Sequence, residues 1–256
     1  MKHIKKKYLF QKNLVLPNNL PHIDLDKDLI DQKILKENFR KSHIFVQTTD
    51  NDLYLAFIHN NSGTYVPIAL PDFTLVYFDF AYRLNKQRED IKKDLLKKLA
   101  TVDAITEDRS KELYEFFGIS TSCIINLFTS IESFINHLLP SDKNYVAKRN
   151  NRTEIYDRDQ IQLHISFMDK LKLVLPQFFG KNFYSKSTKA NSHLQNLKEL
   201  RDNLIHTKSD DTFDKHIEIF RTLLNFKFTE TFEAITQLFN FYQPGYLEPC
   251  PCNQDF

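Results

Sequence analysis

The stretch 197–211, LKELRDNLIHTKSDD, decides how this chain is read. Leu197, Leu200 and Leu204 recur at helical spacing and make an apolar seam. Arg201, Asp202, Asn203 and, a turn further, His206 crowd beside that seam, which packing alone does not require. At 100° per residue Arg201 and His206 lie about 140° apart, so they share no face of an ideal helix. Asp202 and His206, four residues apart, do stack, and the carboxylate is placed to orient the imidazole and raise its proton affinity. A guanidinium with an imidazole suits phosphodiester chemistry. Arg grips phosphate at two points and offsets its developing charge, while His moves the proton of a ribose 2′-hydroxyl or of the leaving oxygen. That reaction needs no metal or other cofactor. The competing reading is structural, with both side chains serving the last carbonyls of a helix and solvent.

Across its 256 residues the chain is 41% hydrophobic, enough for a substantial core, and 23 Phe supply much of it. With no Trp and four Gly, that composition points to packed helices rather than a Gly-rich barrel. A formal charge of +2 creates no global field for nucleic acid, so any such contact must come from local basic patches. Three Cys make no disulfide framework in a chain this long, and a reducing compartment is expected. The basic opening MKHIKKKYLFQKNLVLP is broken by Gln11, Lys12 and Asn13, so it is no signal-peptide core. No run reaches the roughly 18–20 apolar residues that span a bilayer, and the location expected is cytoplasmic.

Along the chain the hydrophobic period changes. A short helix is expected around 26–40. Residues 43–82 carry β-branched and aromatic runs separated by Asp-Asn-Asp and Asn-Asn-Ser-Gly, which predicts two or three strands. Residues 73–84 fit a strand or a helix start. Charged helices follow from 86, ending at Gly118, then a buried helix over 119–139 stopped by Pro140. A basic loop at 143–158 leads to a helix at 159–179, bent or broken at Pro176. After a second basic loop, Ser192 is the expected N-cap of a helix over 193–207. The last pattern, 212–242, places Phe213, Ile217, Phe220, Leu224, Ile235 and Phe239 on a core-facing stripe. The fold class expected is α+β, mainly α. Residues 1–85 form an α/β segment of underived role, 86–242 a four- to five-helix bundle, and 243–256 a tail, with strands confined to the region before 85.

The segment LKELRDNLIHTK resembles the signature of HEPN domains, in whose ribonucleases an Arg is followed by a polar residue, three further residues and a His. Arg201, Asp202 and His206 match that pattern position by position. In SIESFINHLLP, Glu132 and Asn136 resemble the acid and Asn that such proteins carry on an early core helix. The resemblance covers 119–242. It implies a HEPN-like bundle that pairs into a homodimer, with two Arg–His motifs forming one composite site. It further implies a metal-independent endoribonuclease of a toxin or antiviral-defence system, with RNA as partner and an antitoxin or regulator as a further one. The alternative it carries is a non-catalytic module for dimerisation or partner binding.

The catalytic candidates are therefore Arg201 and His206, with Asp202 orienting. Asn203, Lys208, Lys186 and Lys189 are the candidates for holding substrate. The two basic loops supply Lys143, Lys148, Arg149, Arg152, Lys181, Lys186 and Lys189, interleaved with Tyr145, Phe183 and Tyr184. Cations among aromatics suit a single strand, although solvated loop charge has the same composition. Cys250 and Cys252 in the tail resemble the Cys-Pro-Cys opening of a SEC-C metal-binding tail. The later ligands are absent, however, and zinc needs about four. His137 and His164, in apolar helices, read as core-edge residues.

Overall fold

The computed structural model describes residues 22–24, 31–41, 44–47, 53–101, 106–149, 152–206 and 212–248. They divide into two compact units, with the division between Leu75 and Val76. The described residues are mainly helical with two small sheets, the α+β class the sequence pattern predicts.

In the N-terminal unit four strands lie in the order β1-β2-β3-β4. β1 (His22–Asp24) pairs in parallel with β2 (Ile44–Gln47). β2 pairs antiparallel with β3 (Leu53–Asn61), and β3 with β4 (Thr64–Ala69). The β3–β4 turn places Ser62 and Gly63 at positive φ (51° and 97°), the primed geometry that matches strand twist. Helix α1 (Gln32–Asn38) starts where the Asp31 carboxylate accepts the Lys33 N–H at 2.8 Å. Leu35 buries against Ile44, Val46, Ala56 and Ile58. The Gln32 amide grips β4 twice, donating to the Tyr65 carbonyl at 3.0 Å and accepting its N–H at 2.8 Å. Part of the helix expected at 26–40 lies outside the described residues.

The ambiguous segment at 73–84 opens α2 (Phe73–Leu99), a helix and not a strand. In the C-terminal unit, α3 (Glu107–Leu138) runs through Gly118, where a stop was expected. A single helical Gly costs only about 1 kcal/mol, and Phe116, Ser120 and Cys123 carry the buried face across it. By length and composition α3 could cross a membrane, but half of its most apolar stretch is buried within the protein.

The basic segment after Pro140 is a hairpin rather than a loop. β5 (Tyr145–Arg149) pairs with β6 (Arg152–Tyr156), so strands are not confined to the region before 85. Its charges disguised the alternation of YVAKR and RTEIY. The helix expected at 159–179 is several pieces. α4 (Arg158–His164) is followed by Ser166, whose hydroxyl caps α5 (Phe167–Asp169). A π-helical turn spans Lys170–Val174 before α6 (Leu175–Phe179). The break thus falls at Ser166, and Pro176 sits in the first turn of α6, where its missing N–H is not needed.

α7 (Lys189–Ile205) begins earlier than expected, and Thr188, not Ser192, is its cap, accepting the Asn191 N–H at 3.2 Å. The stretch after it forms two helices, α8 (Asp214–Asn225) and α9 (Phe228–Tyr242), separated at Phe226 and Lys227. α7 packs on α3 and α9. The core is aromatic: the Phe239 ring centroid lies 4.3 Å from Phe134, 5.7 Å from Tyr246 and 5.9 Å from Phe78. The stripe expected to face the core divides. Ile235 and Phe239 are buried, whereas Phe213 is 63%, Phe220 45% and Ile217 43% exposed. Their period records an amphipathic face of α8, and period alone does not say that the face is covered. We expect Phe239→Ala to destabilise the C-terminal unit by about 3–5 kcal/mol, measured by denaturant unfolding followed by circular dichroism, because three ring contacts and a buried volume vanish together.

Candidate functional site

Leu194, Leu197 and Leu200 are buried and set the rotation of α7 about its axis. Arg201 is thereby turned toward α3. Its guanidinium carbon lies 4.6 Å from the Phe128 ring centroid. Its Nη2 is 4.0 Å from Glu132 Oε2, and its Nη1 donates to Asp202 Oδ1 at 3.0 Å. Phe128 is itself backed by Phe167, with ring centroids 4.5 Å apart. Arg201 is therefore a held group, stacked on one side and paired on another, with its side chain still 26% exposed.

His206 stands at the other side and at the end of the helix. It is the C-cap residue, its N–H donating to the Asp202 carbonyl at 2.9 Å, and its side chain is exposed. The structure does not bring Arg201 and His206 together within one chain. No hydrogen bond or ion pair joins them among the described residues. Nor does Asp202 orient the imidazole as its spacing suggests. Its two carboxylate oxygens are taken by Arg201 and by Lys198 Nζ, at 2.6 Å. The i−4 lysine and the adjacent arginine hold this carboxylate instead.

His206, Asp202 and Asn203 line one end of a groove of about 1150 Å³ between α7 and α8, with Lys215 and Arg221 opposite. Lys186 and Lys189 are exposed at the far end of α7, Lys186 just before its cap and Lys189 at its first position. Lys208 lies outside the described residues, as do Cys250 and Cys252. Two other basic-loop candidates are occupied elsewhere. Lys181 Nζ donates to the Phe241 carbonyl at 2.5 Å and closes the end of α9, and Tyr145 is buried with its ring stacked on Tyr156.

Lys170 and Lys198 are members of the charge cluster that sequence reading missed. Lys198 was legible as the residue four before Asp202. Lys170 was legible only as a charge inside an apolar run, and it is buried, its Nζ donating to the Gln162 carbonyl at 3.0 Å. Burial lowers the Lys170 pKa against the pull of Glu132. Burial pushes the Glu132 carboxyl up, against the pull of Arg201 and Lys170, and Asp202 adds to the rise. At Asp202 burial also disfavours the charge, but hydrogen bonds from Lys198 and Arg201, together with their charges, outweigh it and hold the carboxyl below its usual range. Asn136, one turn beyond Glu132, has its side-chain oxygen buried without a partner among the described residues.

No protein-family model, curated protein or solved structure matches the chain.

The two neighbouring carboxylates predict opposite pH behaviour. A raised folded pKa means that ionised Glu132 weakens the fold, and the weakening is relieved as pH falls toward its ordinary 4.5. Glu132→Gln should therefore be the more stable protein at neutral pH, with the difference closing in acid. A lowered folded pKa means that ionised Asp202 stabilises the fold above its ordinary 3.8, and this is lost as pH falls through the folded value. Asp202→Asn should be destabilised at neutral pH and converge with wild type in acid. Urea unfolding across pH 3–7 reads both, and parallel trends for the two variants would contradict the assignment.

Proposed function

We propose that the chain is a metal-independent endoribonuclease of HEPN type, acting as a homodimer in a toxin or antiviral-defence setting. The observation that carries this reading is the arrangement on α7. Arg201 is stacked and paired yet still partly open, and His206 is exposed at the end of the same helix. A stacked, doubly paired guanidinium is pre-organised to take a phosphate at two points. An exposed imidazole has one ring nitrogen to accept a proton and one to donate it, which suits proton transfer.

In the proposed reaction the ribose 2′-oxygen attacks the adjacent phosphorus and loses its proton to a base. The P–O5′ bond breaks, and the 5′-oxygen leaves with a proton from an acid. The products are a 2′,3′-cyclic phosphate and a 5′-hydroxyl. His206 serves one of these transfers, and Arg201 neutralises the charge gathered on the phosphate. Since the two face different sides of one α7, the composite site draws them from two copies. Exposed Ile205 beside His206, with Ile217 and Phe213 on and before α8, offers apolar surface for that pairing.

His206→Ala should lower RNA cleavage by about 10²–10⁴-fold, the usual worth of a general acid or base. Arg201→Lys should be severely impaired although the charge is kept, because Lys can neither stack flat on Phe128 nor grip phosphate at two points. Asp202→Ala should retain reduced activity. Cleavage should persist in excess EDTA and stop when the cleaved position carries a 2′-deoxy sugar. These are read by gel assay and by mass spectrometry of the termini. If wild type binds RNA without cutting it, the non-catalytic module replaces this reading.

The assembly is tested separately. Sedimentation at micromolar concentration should give a dimer, and its interface should exceed the ~1,000 Å² that separates biological contacts from packing. A monomer would remove the composite site.

A further inference from the structure

The groove beside His206 is poorly suited to holding a polyanion. Four carboxylates line it, Glu199, Asp202, Asp214 and Glu218, against three cations, Lys215, Arg221 and Lys227. A nuclease working there needs an anchor for its substrate elsewhere. At the opposite end of α7 lies a second cavity, of about 640 Å³, whose lining includes Lys172 and Lys186 and no carboxylate. The Lys172 ammonium is held over the Tyr184 ring, 5.4 Å from its centroid. Asn182, Asn191 and Gln195 complete a wall of amides, the Asn182 oxygen accepting the Tyr184 N–H at 2.8 Å and the Gln195 nitrogen donating to Glu199 Oε1 at 2.8 Å. Asn191 is only 8% exposed, and its amide nitrogen donates to the Lys186 carbonyl at 2.7 Å. That bond fixes the amide's orientation and leaves its oxygen an acceptor without a partner among the described residues, as is the Tyr184 hydroxyl. Asn196 lines both cavities, so they adjoin along one face of α7.

We infer that this second cavity is a subsite for single-stranded RNA, holding a nucleotide upstream or downstream of the bond cut at His206. This rests on the nuclease reading above. Two cations in a lining without a carboxylate suit consecutive phosphates, and the Asn182 nitrogen and Gln195 oxygen beside an aromatic ring suit unpaired base edges. From Asn191 to His206 the helix rises ~22 Å at 1.5 Å per residue. A stacked strand advances roughly 3.4 Å per nucleotide, so the span takes about six nucleotides, fewer if the strand is stretched. The site therefore selects for length: a trinucleotide reaches one end only, a 12-mer both.

The test uses the full chain carrying His206→Ala, so that substrate persists, with fluorescently labelled single-stranded RNA of 3 and 12 nucleotides. Adding Lys172→Glu and Lys186→Glu should weaken 12-mer binding at least tenfold. It should also flatten the dependence of log K on log salt by about 1.4, the value for two lost phosphate contacts on a single strand. In the otherwise wild-type chain the same pair should erase the preference in KM for the 12-mer over the trinucleotide. Both lysines are exposed, and thermal unfolding checks the fold. Lys172→Gln with Lys186→Gln should give the same direction with a smaller effect. Unchanged 12-mer affinity and salt slope overturn the subsite, whether or not the chain cuts RNA. If the chain never cuts RNA but the charge reversal releases the 12-mer, the subsite stands and the nuclease reading falls.

Discussion

The rotation of α7 about its own axis is the constraint on which the site depends. Leu194, Leu197 and Leu200 are buried, and α7 packs on α3 and α9. Arg201 lies about 40° from Leu197 around the helix, and His206 about 180° from it. Burying the leucines therefore turns Arg201 toward Phe128 at the core edge and turns His206 into solvent. No other rotation would keep the leucines dry. The separation of the two polar groups is a consequence of packing.

Electrostatics then works within what packing allows. Glu132, Lys170, Lys198, Arg201 and Asp202 sit where water is partly excluded, so each would be costly alone. Their arrangement makes Asp202 the firm anion, while burial disfavours the charges of Glu132 and Lys170. The cluster sets three basic side chains, Lys170, Lys198 and Arg201, beside two carboxylates. That local excess suits a phosphate at Arg201 better than the chain's nearly neutral total charge suggests. Its place over the Phe128 ring holds the guanidinium while its charge is shared, which a flexible ammonium cannot imitate.

Much of this was legible in the sequence, for reasons that differ by element. The buried helix through Ile124, Leu127, Ile131 and Ile135 was plain from its period, and so was the seam on α7. The β3–β4 hairpin was marked by its Asn-Asn-Ser-Gly turn. The motif residues Arg201 and His206 stood out by type and spacing, and the clash of their helical phases could be calculated. What failed were readings that needed neighbours. Hairpin β5–β6 was hidden because its charged residues mask an alternation that only pairing reveals. Gly118 was read as a stop because its packing was not visible. The exposure of Phe213, Ile217 and Phe220 could not be foreseen, since amphipathicity gives a direction but no partner. Asp202 was matched to His206 by stacking distance alone, and its competition with Lys198 was overlooked.

The π-helical turn at Lys170–Val174 carries a consequence for chain length. In an unbroken α-helix Lys170 and Leu175 would point about 140° apart. Both are buried, and the Leu175 N–H reaches back to the Lys170 carbonyl, a five-residue step in place of four. The turn thus accommodates one residue more than an α-turn would. Loss of a single exposed residue from it, such as Leu173, would let the segment close as ordinary helix with its ends still in place. The turn is thus a place where the helix tolerates a change of one in residue count while Lys170 and Leu175 keep their buried positions.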